Sequence, residues 1–211
     1  MSSPARSDAA LARRLQGLNL YLVGMMGAGK SAVGRPLAAA LGYRFIDADQ
    51  VLEQSAGRPI PAIFESDGEA GFRELETAVL DRISSWHSLV VATGGGVVTQ
   101  PVNWGHLHQG VVIWLDAPAD LLLERLQADA TPRPLLATPE PATRLEQLLQ
   151  ARRPLYAQAD LRVEQHRGDD PQAVAQRVVE ALPTILKERA QPPEAPVQLE
   201  DGDGRPTQSI N

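Results

Sequence analysis

The eight residues Gly24-Met25-Met26-Gly27-Ala28-Gly29-Lys30-Ser31 constrain this chain more than any other part of it. They satisfy G-x-x-x-x-G-K-[ST] at every fixed position. An apolar run, LNLYLV (18–23), precedes them and reads as a buried strand. The following SAVGRPLAAALG has Val33, Leu37 and Leu41 at helical spacing and Gly42 as a stop signal. Glycines let successive backbone N–H groups curl around a phosphate, and the helix N-terminus adds a favourable dipole. Lys30 is then in reach of β- and γ-phosphate oxygens, and the Ser31 hydroxyl is a ligand for magnesium. A chance glycine-rich turn would not also sit between a strand and a helix. The segment implies a nucleoside triphosphate site, with Gly27, Ala28, Gly29, Lys30 and Ser31 as its residues.

Further along, YRFID (43–47), LVVAT (89–93), VVIWLD (111–116) and LRVEQ (161–165) read as strands. The third and fourth are continuous apolar runs, the mark of strands buried on both faces of a parallel sheet. Residues 48–86 read as mostly helical, with breaks at 57–61 and 66–68, and helices are predicted at PADLLLERL, TRLEQLLQARRPLY and PQAVAQRVVEALPTIL. Strands alternating with helices predict an α/β fold: three layers, with a central, mainly parallel five-stranded sheet flanked by helices. Residues 127–142, QADATPRPLLATPEPA, are proline-rich and without period, so they are expected to form a mobile lid. The α/β domain spans 18–189. Residues 1–17 read as a flexible extension and 190–211 as a disordered acidic tail.

Composition closes off other classes. The chain has no cysteine, which excludes a disulfide framework and a thiolate metal site. A net charge of −6 lacks the basic footprint of a nucleic-acid binder. No apolar run reaches the roughly 20 residues of a membrane span, and the first 17 residues hold no secretory apolar core. They are Ala/Ser/Arg-rich like a transit peptide, although a short soluble extension suits them better. A cytoplasmic monomer acting on small molecules, without nucleic acid or membrane as partner, is the expectation.

The acceptor side is sought at the carboxyl ends of the strands. Asp47 and Asp49 lie at the end of the second strand. One would hold magnesium beside Ser31 and the other would accept the proton of an acceptor hydroxyl, unless Asp49 caps the next helix. Gly94-Gly95-Gly96 follows a buried strand and implies a ligand pressed against the main chain, a plain tight turn being the alternative. Arg133 in the lid segment is placed to swing onto transferring phosphates, an exposed loop charge being the alternative. Asp116 looks like a terminal magnesium aspartate, yet Asp-Ala-Pro suits a helix cap with proline at the first helical position. His106 and His108 lack partners for a metal set and read as surface or packing residues.

GMMGAGKS, FIDAD, IFESDGEAGFRELE, TGGG, RPLL and RRPLY, in this order and spacing, resemble the shikimate kinases over roughly 18–187. The resemblance implies the nucleoside-monophosphate-kinase-like P-loop fold and transfer from MgATP to shikimate. It gives Asp47 to magnesium with Ser31, and makes Asp49 the base that binds the shikimate hydroxyls. Arg73, Arg152, Gly95 and Gly96 would hold the acceptor, with Glu76 orienting Arg73. Lys30 and Arg133 would act on the phosphates, and Arg125 matches an adenine-stacking arginine. Ala32 stands where the family usually has a hydroxyl residue that touches the α-phosphate. Losing that hydrogen bond should weaken nucleotide binding by about 1 kcal/mol. Other kinases of the fold, such as gluconate kinases, have no need of the GGG and paired-arginine set. A non-catalytic derivative would have no need of Lys30, Asp47, Asp49 and Arg133 together.

Overall fold

A computed structural model of the chain describes residues 4–129 and 133–189. The expected acidic tail at 190–211 and three residues of the expected lid, 130–132, lie outside the described residues. Five parallel strands, β1 (Leu20–Val23), β2 (Arg44–Asp47), β3 (Leu89–Ala92), β4 (Val111–Asp116) and β5 (Leu161–Glu164), form one sheet in the order β2-β3-β1-β4-β5. The first strand is therefore central, and the chain leaves it between neighbours that run to opposite edges. That is the point at which such a sheet opens a crevice.

The strands split their side chains between two apolar layers with a period of two. Leu20, Leu22, Val90, Val111, Ile113 and Leu115 belong to one buried cluster, whereas Tyr21, Val23, Val91, Val112 and Trp114 belong to the other. Both faces need cover, which is why the runs look continuously apolar in sequence. Helices α2 (Lys30–Leu41), α6 (Ala119–Ala128) and α8 (Pro171–Arg189) cover the first face. Helices α4 (Ile60–Ser84) and α5 (Pro101–Leu107) cover the second, with α3 (Ala48–Ala56) beside α4. Helix α7 (Pro141–Tyr156) gives Leu145 and Leu149 to the first layer and Tyr156 to the second.

Three sequence expectations change here. Residues 4–15 are not a loose extension but a helix, α1 (Pro4–Leu15), whose Leu11 and Leu15 are buried in the first layer. Those leucines are four positions apart, about one helical turn, and both meet the same core. Helix α5 was not foreseen; Pro101 at its first turn and the Trp104–Leu107 spacing are its signals. The break expected at 66–68 is a kink within α4, where Gly68 has φ 68 and ψ −172. In the lid segment a short 3-10 turn covers Pro134–Leu136 before α7 begins.

Candidate functional site

A cavity of about 820 Å³ opens at the carboxyl ends of the strands, between the phosphate loop, α3–α4, the Gly94–Gly96 loop, α7 and the lid segment. Gly27, Gly29, Lys30, Ser31 and Ala32 form one wall, and Asp47, Asp49, Arg73, Gly95, Gly96 and Arg152 form another. Arg125 and Arg133 stand at its edge. Ala28 is the exception. Its methyl is fully buried in the core, leaving only its backbone beside the loop.

Within the loop, Gly29 adopts the left-handed conformation, with φ 76, immediately before α2, a geometry that favours glycine. The Lys30 ammonium donates to the carbonyls of Gly24 (2.9 Å) and Met25 (3.1 Å). Two of its three N–H groups are thus spent on the loop itself. Burial lowers its pKa to about 8, against the attraction of Asp49. Ser31 Oγ donates to Asp47 Oδ2 at 2.6 Å, while Asp47 Oδ1 accepts from the backbone N–H of Asp49 and Gln50. Asp47, not Asp49, is therefore the cap of α3. That leaves the Asp49 carboxylate free for the cavity, where burial and the neighbouring Asp47 push its pKa up.

Arg73 is held on both sides, by Glu76 at 2.6 Å and Glu69 at 3.0 Å. Burial works to lower its pKa, but the two carboxylates outweigh it and the net shift is upward. The glycine run also has close neighbours within the protein itself. A Cβ at Gly94 would sit 2.3 Å from Glu76 Oε1, and one at Gly96 would sit 2.3 Å from Arg73 Nη2. The protein's own ion pair comes up against Gly94 and Gly96, and all three glycines line the cavity. Gly95 lies against the phosphate loop, and its carbonyl accepts from Arg152 (3.2 Å) and from the Tyr156 hydroxyl.

Asp116 neither caps α6 nor faces the cavity. Its carboxylate takes Arg153 (3.2 Å) from α7 and Arg162 (2.7 Å) from β5, while Pro118 occupies the cap position. Two guanidinium groups at the end of β4 hold it away from the helix start. His106 lies 3.5 Å from Asp81, and His108 packs on Trp104. Arg133 pairs with Asp129 at 2.9 Å. Arg125 donates to Gln165 at 3.0 Å, and Gln165 donates in turn to the Ala28 carbonyl. Neither Gln165 nor Tyr156 was singled out from the sequence. Their contacts reach across 137 and 61 residues, and no local pattern carries them.

The fold and the cavity together define a P-loop kinase of the kind that acts on small molecules. The family profile for "Shikimate kinase" matches residues 26–183. The chain belongs to the shikimate kinase family. It is 60% identical to the shikimate kinase of Synechococcus sp. (strain RCC307) over 87% of this chain and 94% of that protein. It is 50% identical to that of Synechococcus elongatus over 90% of this chain and 99% of that protein. Among solved structures, the Acinetobacter baumannii shikimate kinase in complex with shikimate shares 41% identity with a TM-score of 0.78, covering 86% of this chain and 99% of that one. A Sinorhizobium meliloti gluconokinase, 17% identical with a TM-score of 0.54, shares the fold.

Proposed function

We propose that the chain transfers the γ-phosphoryl group of ATP to the 3-hydroxyl of shikimate, giving shikimate 3-phosphate and ADP for aromatic amino acid synthesis. The observation that carries this is the meeting of Arg73 and Arg152, from two distant helices, with Asp49 and the phosphate loop around one cavity. Paired guanidinium groups suit a carboxylate, which accepts charge-assisted bonds from both. A neutral polyol offers no carboxylate to accept those charge-assisted bonds, so it is discriminated against.

Lys30 and Arg133 then bind and neutralise the transferring phosphates, with Arg125 as a platform for the base. Asp49 accepts the proton of the attacking hydroxyl, a task its raised pKa favours. Ser31 and Asp47 present hard oxygens 2.6 Å apart at the cavity wall, a donor set that fits magnesium, which takes few protein ligands beside phosphate oxygens. When bound, the ion would draw charge from the β- and γ-phosphates. Cytoplasmic location and a monomeric state belong to the same reading. Among the described residues no helix is long and apolar enough to cross a membrane.

A coupled assay of ADP release with ATP tests the substrate. Shikimate is turned over, and gluconate or a neutral analogue is not; equal turnover would remove the assignment.

A further inference from the structure

Gln165 directly follows β5 and is 3% exposed. Its backbone N–H donates to the Asp116 carbonyl (2.8 Å), its Nε2 donates to the Ala28 carbonyl (2.8 Å), and its Oε1 accepts from Arg125 Nη1 (3.0 Å). A buried amide persists where donor and acceptor are both met, and here each end meets a different part of the nucleotide wall. Packing alone at a strand end would be served by an apolar side chain.

Arg125 shows what the amide oxygen does. The same Nη1 lies 3.4 Å from the Gly27 carbonyl, and a methyl placed on Gly29 would come within 3.8 Å of it. The guanidinium thus stands beside the phosphate loop, with Nη1 bonded, in the lining of the cavity. A long side chain without such a partner spreads over many rotamers. A planar cation held by one edge is suited to stack on an aromatic ring.

We propose that Gln165 is a positioning residue for the nucleotide base. Its carboxamide oxygen fixes Arg125 beside the phosphate loop, and its amide nitrogen ties that arrangement to Ala28. This rests on the reading of Arg125 as the base platform. Gln165 itself touches no substrate.

The test compares two ligands on the full chain, ATP and inorganic tripolyphosphate, which carries similar charge but no base. Gln165→Met weakens ATP about tenfold and leaves tripolyphosphate within about twofold, the scale of losing one hydrogen bond to a charged group. Gln165→Glu retains an acceptor for Arg125, so it keeps the wild-type preference for ATP over tripolyphosphate. Arg125→Ala sets the scale by abolishing that preference. Should Gln165→Met not fold, Gln165→Leu supplies the same comparison. Equal weakening of both ligands, or no change in either, overturns the role of Gln165 while leaving Arg125 as read. An unchanged preference in Arg125→Ala overturns the platform itself, and the inference with it.

Discussion

Gly96→Ala probes the acceptor grip without replacing a charged residue. Gly96 has φ −104 and ψ −1, which alanine adopts without strain, so only the added methyl matters. That methyl would lie 2.3 and 2.4 Å from the two terminal nitrogens of Arg73 and 2.5 Å from its Cζ. Ordinary non-bonded contact needs about 3.5 Å, so the guanidinium must retreat by roughly 1 Å. The 2.6 Å bond to Glu76 cannot survive such a shift intact. One charge-assisted bond is worth about 1.5–3 kcal/mol, which converts to about 10- to 150-fold in affinity. The expected result is a shikimate KM raised about 10- to 100-fold, with the ATP KM within about twofold of wild type. ADP release at saturating ATP and varied shikimate measures the first, and a thermal melt reports the folded state. A variant that melts earlier but keeps its shikimate KM would show that Arg73 braces α4 and does not hold the acceptor.

Further outcomes follow from the same geometry. Lys30→Met should lower turnover by at least about 10²–10³ with the fold retained, and undiminished turnover would end the phosphate-loop assignment. Burial holds the Lys30 pKa at about 8 against an ordinary 10.5, so the unfolded chain binds the extra proton between those values. Lys30 therefore makes stability rise with pH over that window, and chemical denaturation of Lys30→Met across it should lack this rise. For the same reason kcat/KM for ATP should decline above about pH 8, as free enzyme loses the cation. Leu15→Ala deletes a fully buried side chain of α1 and should cost about 2–4 kcal/mol in denaturant unfolding, without a change in either KM at moderate temperature. Asp116→Asn should lower the melting temperature through Arg153 and Arg162 but leave the magnesium dependence of turnover untouched; an altered metal requirement would restore Asp116 as a metal residue.

The parts of the site that are contiguous in sequence were also the parts legible there. The phosphate loop needs only backbone freedom, one lysine and one hydroxyl within eight residues, and the flanking strand and helix declare themselves by apolar period. Asp47 and Asp49 were recognisable as a pair, but which of them caps α3 depends on the direction in which the chain leaves β2. Gly94–Gly96 signalled a close approach, yet the approaching groups, Glu76 and Arg73, come from α4, and nothing in the run itself says so. Asp116 obeyed a local helix-start pattern that two arginines, 37 and 46 residues later in the chain, override. Helix α1 was missed because a stretch of only 12 residues is marginal as an isolated helix, and the core its two leucines share is built by α2 and α8, outside the stretch itself.

Asp47 spends its two oxygens on different errands, Oδ2 on the Ser31 hydroxyl and Oδ1 on the first amides of α3. The helix that begins under this carboxylate is the one that carries Asp49. Any replacement that swings the group to serve one errand better also disturbs the cap of the helix that carries the proposed proton acceptor. Under the proposed roles, kinetic damage at this position is composite, and a loss of rate there is not apportioned between metal and base by a single substitution. The proposed metal side and base side of the site share one carboxylate.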